Sequence, residues 1–234
     1  MCTSCFESDG GQLSLLSQVF RRAVGGGWLI VSGPTPSIGD DSVERLLEVV
    51  DLSRPILVIR PQDAILLEID QWVLDLEALL EIPLTYLELD VVDDHELITQ
   101  WQEAGLVIIA AEDDFPLASL IKRIASNQSE FALDRNQILW YVGTAGMTLG
   151  DWAYNVTTDQ TIEGMGWLPG AVILHQMGGL AEMEPVQEIL RNHHRSYALN
   201  LLGDATIALG PEGEIELWGS PQPSIVLGHG WGEA

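Results

Sequence analysis

The chain has 234 residues, of which 47% are hydrophobic, so it can bury one large core without needing a second domain. Its formal net charge is -25, from 35 Asp and Glu against 10 Lys and Arg, and Lys122 is the only lysine. Because Lys and Arg supply most of the affinity for phosphate backbones and anionic lipids, we expect neither nucleic acid nor membrane partners. We expect one α/β domain over residues 1–234, with residues 1–25 as an N-terminal extension.

The two cysteines, Cys2 and Cys5, form a CxxC pair ahead of the first predicted element. A structural zinc site needs four ligands, so this pair alone does not indicate a metal, and we expect neither metal nor cofactor. The rest of the chain has no cysteine for a disulfide, which fits a reducing cytosol. No apolar run is long enough to span a bilayer and no signal-peptide pattern opens the chain, so we expect a cytoplasmic protein.

Apolar runs alternate with helix-length amphipathic segments through the first three quarters of the sequence. The runs are short, rich in β-branched or aromatic residues, and bounded by Gly, Pro or Asp, which predicts strands at Trp28–Ser32, Ile56–Arg60, Leu84–Leu89, Leu106–Ala110 and Ile138–Gly143. Helices are predicted from Asp40 onwards and over roughly Ile65–Leu80, His95–Ala104 and Leu117–Ala125. This alternation predicts a doubly wound, mostly parallel sheet flanked by helices.

The segment from Gln137 to Gly150 reads as a buried strand, a sharp turn of small residues and the first turn of a helix, with Thr144 at the apex. In α/β hydrolases such an elbow exposes a nucleophilic hydroxyl above a helix N-terminus. Sites in parallel sheets form beyond the carboxyl ends of the strands, which is where Thr144 is expected. The sequence therefore predicts a candidate nucleophile, although the hydroxyl belongs to threonine and not to serine.

The pattern changes after Gly150. A strand is predicted at Leu168–Leu174 and a helix at Pro185–His194. Four short strands then follow, separated by Gly and Pro turns, at Ala198–Leu202, Thr206–Leu209, Glu214–Trp218 and Ile225–Leu227. The C-terminal quarter is thus predicted to be an antiparallel β-meander at one side of a mixed sheet.

Two residues that follow the elbow in the sequence, Asp159 and His175, are candidate catalytic partners for Thr144. His175 follows the strand at 168–174, and Asp159 lies in a polar loop between Thr144 and His175. The order Thr, Asp, His is that of nucleophile, orienting acid and base in α/β hydrolases. From the residues alone two alternatives stay open, since His175 also suits an ordinary strand end and Asp159 an ordinary turn.

Three stretches resemble the cyanophycinase and aspartyl dipeptidase (dipeptidase E) serine peptidases, whose fold is class I glutamine amidotransferase-like, or flavodoxin-like. These stretches are Val142-Gly-Thr-Ala-Gly-Met147, Gly166-Trp-Leu-Pro-Gly170 leading to His175, and Gly203-Asp-Ala-Thr206 before a closing hairpin. The resemblance implies Thr144 as nucleophile in place of serine, His175 as base and Asp159 as the orienting carboxylate. Asp151 and Glu163 are substitutes for that carboxylate.

The resemblance also implies a substrate rim, formed by Gly33, Glu112, Asp113, Asp114, Gly143, Ala145 and Trp167. The family has two glycines where this chain has Glu112 and Asp113, and their charge opposes a developing oxyanion. The first glycine-rich loop contains Pro34, which has no N–H to donate. Trp152 and Trp167 flank the loop between elbow and histidine, where they either line a cleft or pack beneath the loop.

The departures from the family pattern predict a loss of catalytic power. Enzymes that use threonine generally activate it with its own N-terminal amine, which an internal Thr144 lacks, and its methyl group crowds the attack geometry. We therefore expect a homologue that binds a peptide-like or basic ligand, or a protein partner, in a vestigial cleft. The alternative is an active hydrolase that uses Thr144, His175 and Asp159 through an acyl-enzyme on short acidic or isopeptide substrates. Since the family often pairs subunits, a homodimer is a further expectation.

Overall fold

The computed structural model describes residues 18–23, 25–34, 40–61, 67–111, 117–127, 129–155, 160–175 and 183–231. The α-helices whose bounds fall in these residues are α1 (Asp40–Val49), α2 (Leu67–Leu80), α3 (Asp94–Glu103), α4 (Leu117–Ser126) and α5 (Glu184–Asn192). A 3-10 helix covers Thr144–Leu149. The strands are β1 (Trp28–Ser32), β2 (Ile56–Arg60), β3 (Leu84–Glu88), β4 (Leu106–Ala111), β5 (Ile138–Gly143), β6 (Gly150–Asn155), β7 (Gln160–Glu163), β8 (Leu168–His175), β9 (Tyr197–Leu201), β10 (Thr206–Leu209), β11 (Ile215–Trp218) and β12 (Ser224–Leu227).

The first sheet has seven strands in the order β11-β10-β1-β5-β4-β2-β3. The five strands from β1 to β3 in this order are parallel, and β10 and β11 extend the sheet antiparallel beyond β1. The parallel strands β1, β4 and β5 are buried along their whole length, as expected for strands covered on both faces. The predicted α/β class with a mostly parallel sheet is confirmed.

A second sheet of five strands, in the order β12-β9-β8-β6-β7, was not predicted. It divides the predicted meander, because β10 and β11 join the first sheet whereas β9 and β12 join the second. Helix α5 lies between β8 and β9, so it serves as the crossover that parallel neighbours require. The α-helix expected after the elbow is instead one short 3-10 helix, which ends at Gly150 in extended backbone and continues as β6.

Three apolar clusters form the layers of the molecule. The largest lies between the two sheets and contains residues from both, such as Val31, Tyr141 and Ile173. A second cluster packs the other face of the first sheet on α1 and α2 through Leu46 and Trp72. The third covers the outer face of the second sheet with α5, through residues that include Val172, Leu174, Val186 and Ile189. The elbow and β8 therefore face each other across the main core.

Part of the predicted N-terminal extension belongs to the fold. Val19 and Phe20 are 2% and 6% exposed and join the main core. The Phe20 ring meets Tyr197 edge-on at 5.7 Å, and the Ala23 N–H donates to the Trp167 carbonyl at 3.0 Å. Burial of these side chains fixes residues 18–23 against the second sheet. Cys2 and Cys5 lie outside the described residues.

Candidate functional site

The elbow lies at the carboxyl end of β5, between β1 and β4. Gly143 has φ 66° and ψ -147°, and a Cβ there would lie 2.1 Å from the Ala111 carbonyl oxygen, so glycine is required on both counts. Thr144 follows as the first residue of the 3-10 helix and is half-buried. In the described residues only Glu81 and Arg195 combine a side chain with positive φ. The unusual backbone of the elbow is therefore at Gly143, one residue before the hydroxyl.

The structure brings His175 to the elbow. Side chains alternate along β8, so that Ala171 and Ile173 enter the main core between the sheets while Val172 and Leu174 face α5. His175, two residues after Ile173, lies on the core side. Its ring covers Gly146 of the 3-10 helix: a Cβ added to Gly146 would be 3.4 Å from His175 Nε2. The imidazole therefore packs against the turn at Gly146, whereas it is Val31 Cγ1, at 2.7 Å from the added Cβ, that leaves no room for a side chain there.

His175 is 7% exposed, and neither ring nitrogen has a hydrogen-bond partner within the described part of the chain. No hydrogen bond therefore joins its ring to Thr144. Burial lowers the pKa of His175 to about 4, because the charged imidazolium loses its hydration, and the nearby Leu201 backbone opposes this only in part. The imidazole is consequently neutral at pH 7.

The two substitute carboxylates lie at the other end of the second sheet. Asp151 accepts a hydrogen bond from the Gly170 N–H at 2.7 Å, and Glu163 pairs across β7 and β6 with Trp152. Gly170 precedes His175 by five residues on β8, which corresponds to roughly 16 Å along a strand. Neither Asp151 nor Glu163 can orient His175.

The preferred carboxylate, Asp159, lies outside the described residues, as do Glu112, Asp113 and Asp114. The strand residues next to these segments are described. Ala111 pairs with Gly143 at the elbow, and Asn155 pairs with Gln160 where β6 ends. Because Ala153 is in register with Ile173, the end of β6 lies at the same edge of the sheet as the histidine.

Gly33 is buried and forms part of the backbone frame of the elbow. Its N–H donates to the Ala205 carbonyl at 2.8 Å, and its carbonyl accepts from the Gly143 N–H at 3.4 Å. A Cβ at Gly33 would lie 2.3 Å from the Gly203 carbonyl oxygen. The Gly33 amide is therefore already used and is not free to stabilise an oxyanion. Pro34 follows it and has no N–H.

The remaining predicted rim residues lie inside the protein. Ala145 is fully buried, and Trp167 is 1% exposed and belongs to the main core. Trp152 is half-buried and its ring lies 4.5 Å from that of His193. In the described segments no group of three His, Cys, Asp or Glu side chains is placed to hold a metal. None of the helices in these segments is long and apolar enough to cross a bilayer.

The sequence matches no protein-family model and no characterised protein sequence at a significant level. Among solved structures, the fold is similar to that of a candidate peptidase E protein from Listeria monocytogenes EGD-e, with a TM-score of 0.53. The two are 13% identical in sequence, and the match covers 83% of this chain and 99% of the other. The chain has a peptidase E-like α/β fold. At this identity the likeness concerns the fold, and the chemistry has to be argued from the residues.

Proposed function

We propose that the protein is a peptidase E-like homologue with little or no hydrolytic activity, which binds a peptide-like or basic ligand, or a protein partner, beside the elbow. The observation that carries this proposal is the state of His175. The histidine is buried against the turn, neutral, and without a hydrogen bond to Thr144. Placement of a histidine beside the elbow is consistent with descent from a hydrolase, whereas its isolation argues against catalysis.

A histidine in this state is a poor general base. Proton transfer is most effective when the pKa of the base lies near the operating pH, and a pKa of about 4 is well below neutrality. In a triad the base also needs a hydrogen bond from the nucleophile and an acceptor behind its ring. Both ring nitrogens lack such partners in the described residues. Activation of the Thr144 hydroxyl by His175 is therefore weak.

The backbone around Thr144 adds to this effect. An oxyanion hole needs N–H groups that are free to bind the developing charge, but the Gly33 N–H is used by Ala205 and Pro34 has none. The run Glu112-Asp113-Asp114 replaces flexible glycines of the family pattern with negative charge. The same charge favours a cationic ligand, and the net charge of -25 attracts one from a distance.

A covalent fluorophosphonate probe tests the absence of catalysis. We expect no adduct at Thr144 by intact-mass analysis under conditions that fully label a serine peptidase used as positive control. An adduct that disappears in Thr144→Ala would overturn the proposal in favour of the active hydrolase. The juxtaposition of Gly146 and His175 is the observation that favours that alternative, since it places an imidazole against the turn that carries Thr144.

Thr144→Ser separates the nucleophile from its surroundings. We expect this variant to gain no robust peptidase activity on short acidic or isopeptide substrates, because neither His175 nor the Gly33 amide changes.

Calorimetric titration with an arginine-containing dipeptide, against the same dipeptide with citrulline, measures ligand binding. We expect the arginine form to bind more tightly, and more so at low salt. Equal affinity for the two dipeptides would contradict a basic ligand.

A further inference from the structure

The arginines of this acidic protein fall into two groups. Six of them form ion pairs with carboxylates, namely Arg45, Arg54, Arg60, Arg123, Arg135 and Arg191. The other three, Arg21, Arg22 and Arg195, have no ion pair within the described part of the chain. All three line one cavity of about 650 Å³. In a chain with 35 acidic residues, a cavity lined by three arginines that have no ion pair among the described residues is an exception to the negative field of the protein.

This cavity lies at the amino end of the second sheet. Pro169 and Gly170 of β8 form part of its wall, together with Asp151 and Trp152 of β6. It is thus separated from the elbow by most of the length of β8, roughly 16 Å from Gly170 to His175. Among the described lining residues Asp151 is the single carboxylate, and it is held by the Gly170 N–H. Three guanidinium groups against this one carboxylate give the described lining a net positive charge.

Arg22 and Arg195 make their direct contacts with neutral groups, although Glu214 also interacts electrostatically with Arg22. The Arg22 guanidinium donates to the Gly27 carbonyl and, at 2.9 Å, to the Gly210 carbonyl. Arg195 lies over the Trp231 ring, with Cζ 6.0 Å from the ring centroid. Partial burial lowers the pKa of Arg22 from its usual value, yet a guanidinium stays protonated throughout the physiological range. These groups keep donors for an anionic partner.

Two flat aromatic walls accompany the positive charge. The Trp231 indole is fixed by its N–H, which donates to the Ser196 carbonyl at 2.8 Å. The Trp152 indole packs on the His193 ring at 4.5 Å, and His194 also lines the cavity. Tryptophan faces bind flat rings, and guanidinium groups bind carboxylate or phosphate. A volume of about 650 Å³ is in the range of small-molecule sites.

We propose that this cavity binds a small organic anion that combines a flat ring with a phosphate or carboxylate group. The ring would lie against Trp152 or Trp231, and the charged group would be held by Arg21 and Arg195. Because the rest of the chain is strongly acidic, electrostatic repulsion disfavours binding of an anion elsewhere. This site is separate from the elbow, so the binding proposal does not depend on the proposed loss of catalysis.

Calorimetric titration with phenyl phosphate and with isophthalate tests the proposal, and their ranking shows which charged group is preferred. We expect one or both to bind, and to bind about tenfold or more tightly than neutral benzamide, because charge-assisted hydrogen bonds are lost without the anion. Inorganic phosphate should bind more weakly than phenyl phosphate. No binding of either aromatic anion at millimolar concentration would overturn the proposal, and equal binding of inorganic phosphate would remove the role of the ring.

Matched variants place the binding. Arg21→Ala and Arg195→Ala should each weaken the better probe about fivefold or more, and the double variant further. Arg135→Ala changes the net charge equally but removes an arginine paired with Glu212 on the open surface, so it should leave the affinity unchanged. Circular dichroism melts show whether each variant is folded. Retention of full affinity by the folded double variant would place the anion outside this cavity.

Discussion

The two ends of β8 lie in opposite environments. At the carboxyl end His175 is 7% exposed, packed on Gly146, and without a hydrogen bond or ion pair in the described residues. At the amino end Pro169 and Gly170 border an open cavity lined by three arginines that have no ion pair in the part of the chain that the structure describes. One strand thus connects an apolar site, where a titratable group loses its charge, with a solvated site, where charge is concentrated.

The difference shows what a histidine at a strand end needs before it can act in catalysis. Proximity to the elbow is provided by the alternation of side chains along β8, which places the His175 ring against Gly146. The described residues supply no hydrogen-bond partner to its ring nitrogens, and burial lowers the pKa and leaves the ring neutral. At the amino end the Arg22 guanidinium donates to the Gly210 carbonyl, and a guanidinium stays protonated throughout the physiological range. Position along the strand, and the solvation that comes with it, determine what each charged group can do.

The largest expected loss of stability comes from a substitution at the elbow, near the carboxyl end of β8. Gly143→Ala places a Cβ 2.1 Å from the Ala111 carbonyl oxygen at a φ of 66°, so backbone strain and a clash with main chain add together. We expect the free energy of unfolding to fall by about 4 kcal/mol in urea denaturation.

Gly213→Ala is the matched control, because Gly213 also has positive φ, 93°, but nothing lies within 4 Å of the added Cβ. It should lose only about 1 kcal/mol, the cost of the backbone conformation alone. Equal losses in the two variants would show that Ala111 moves away freely, and that the elbow is less rigidly held than the close approach of these backbones indicates.

The stability of the protein is expected to depend on pH through His175. The pKa of His175 is about 4 in the folded protein and 6.5 ordinarily, so between these values the unfolded chain binds more protons. Stability should therefore fall as the pH drops from about 6.5 to 4, by about 3 kcal/mol from this group. His175→Leu should remove that part of the pH dependence, measured by urea unfolding at a series of pH values.

His95→Leu is the control, since His95 is exposed on α3 and the substitution should leave the pH dependence unchanged. If the stability of the wild-type protein and of His175→Leu depended on pH in the same way, His175 would titrate normally. In that case the ring has access to water or to a carboxylate, and the comparison between the two ends of β8 fails.

The first sheet could be predicted from the sequence because each of its strands is recognisable from its own residues. Runs such as Ile138–Val142 are continuous and apolar, and helices of adequate length separate them. The strand β6, Gly150–Asn155, was not predicted, because it follows a turn that normally begins a helix and because its residues are mixed in polarity. The division of the C-terminal strands between two sheets depends on which partner edges are free, which is a property of the whole fold.

The candidate site was partly predictable for the same reason. Chain order and the glycine-rich turn place Thr144 and His175 near each other, which the contact between Gly146 and the His175 ring supports. The burial of Trp167 and the use of the Gly33 amide by Ala205 could not be predicted, because both depend on tertiary neighbours. The cluster of arginines was equally invisible, since Arg21 and Arg195 are far apart in sequence.

The smallest expected effect tests whether the two ends of β8 are independent. Asp151→Asn removes the charge from the hydrogen bond with the Gly170 N–H and should lower the free energy of unfolding by about 1 kcal/mol. Because Asp151 binds Gly170, which is roughly 16 Å along β8 from His175, the loss of stability between pH 6.5 and 4 should keep its size. Urea unfolding of this variant at both pH values measures the two quantities together. A smaller pH dependence would connect Asp151 to the histidine and make it the missing acid of the triad, whereas an unchanged one leaves His175 without a carboxylate from this end of the sheet.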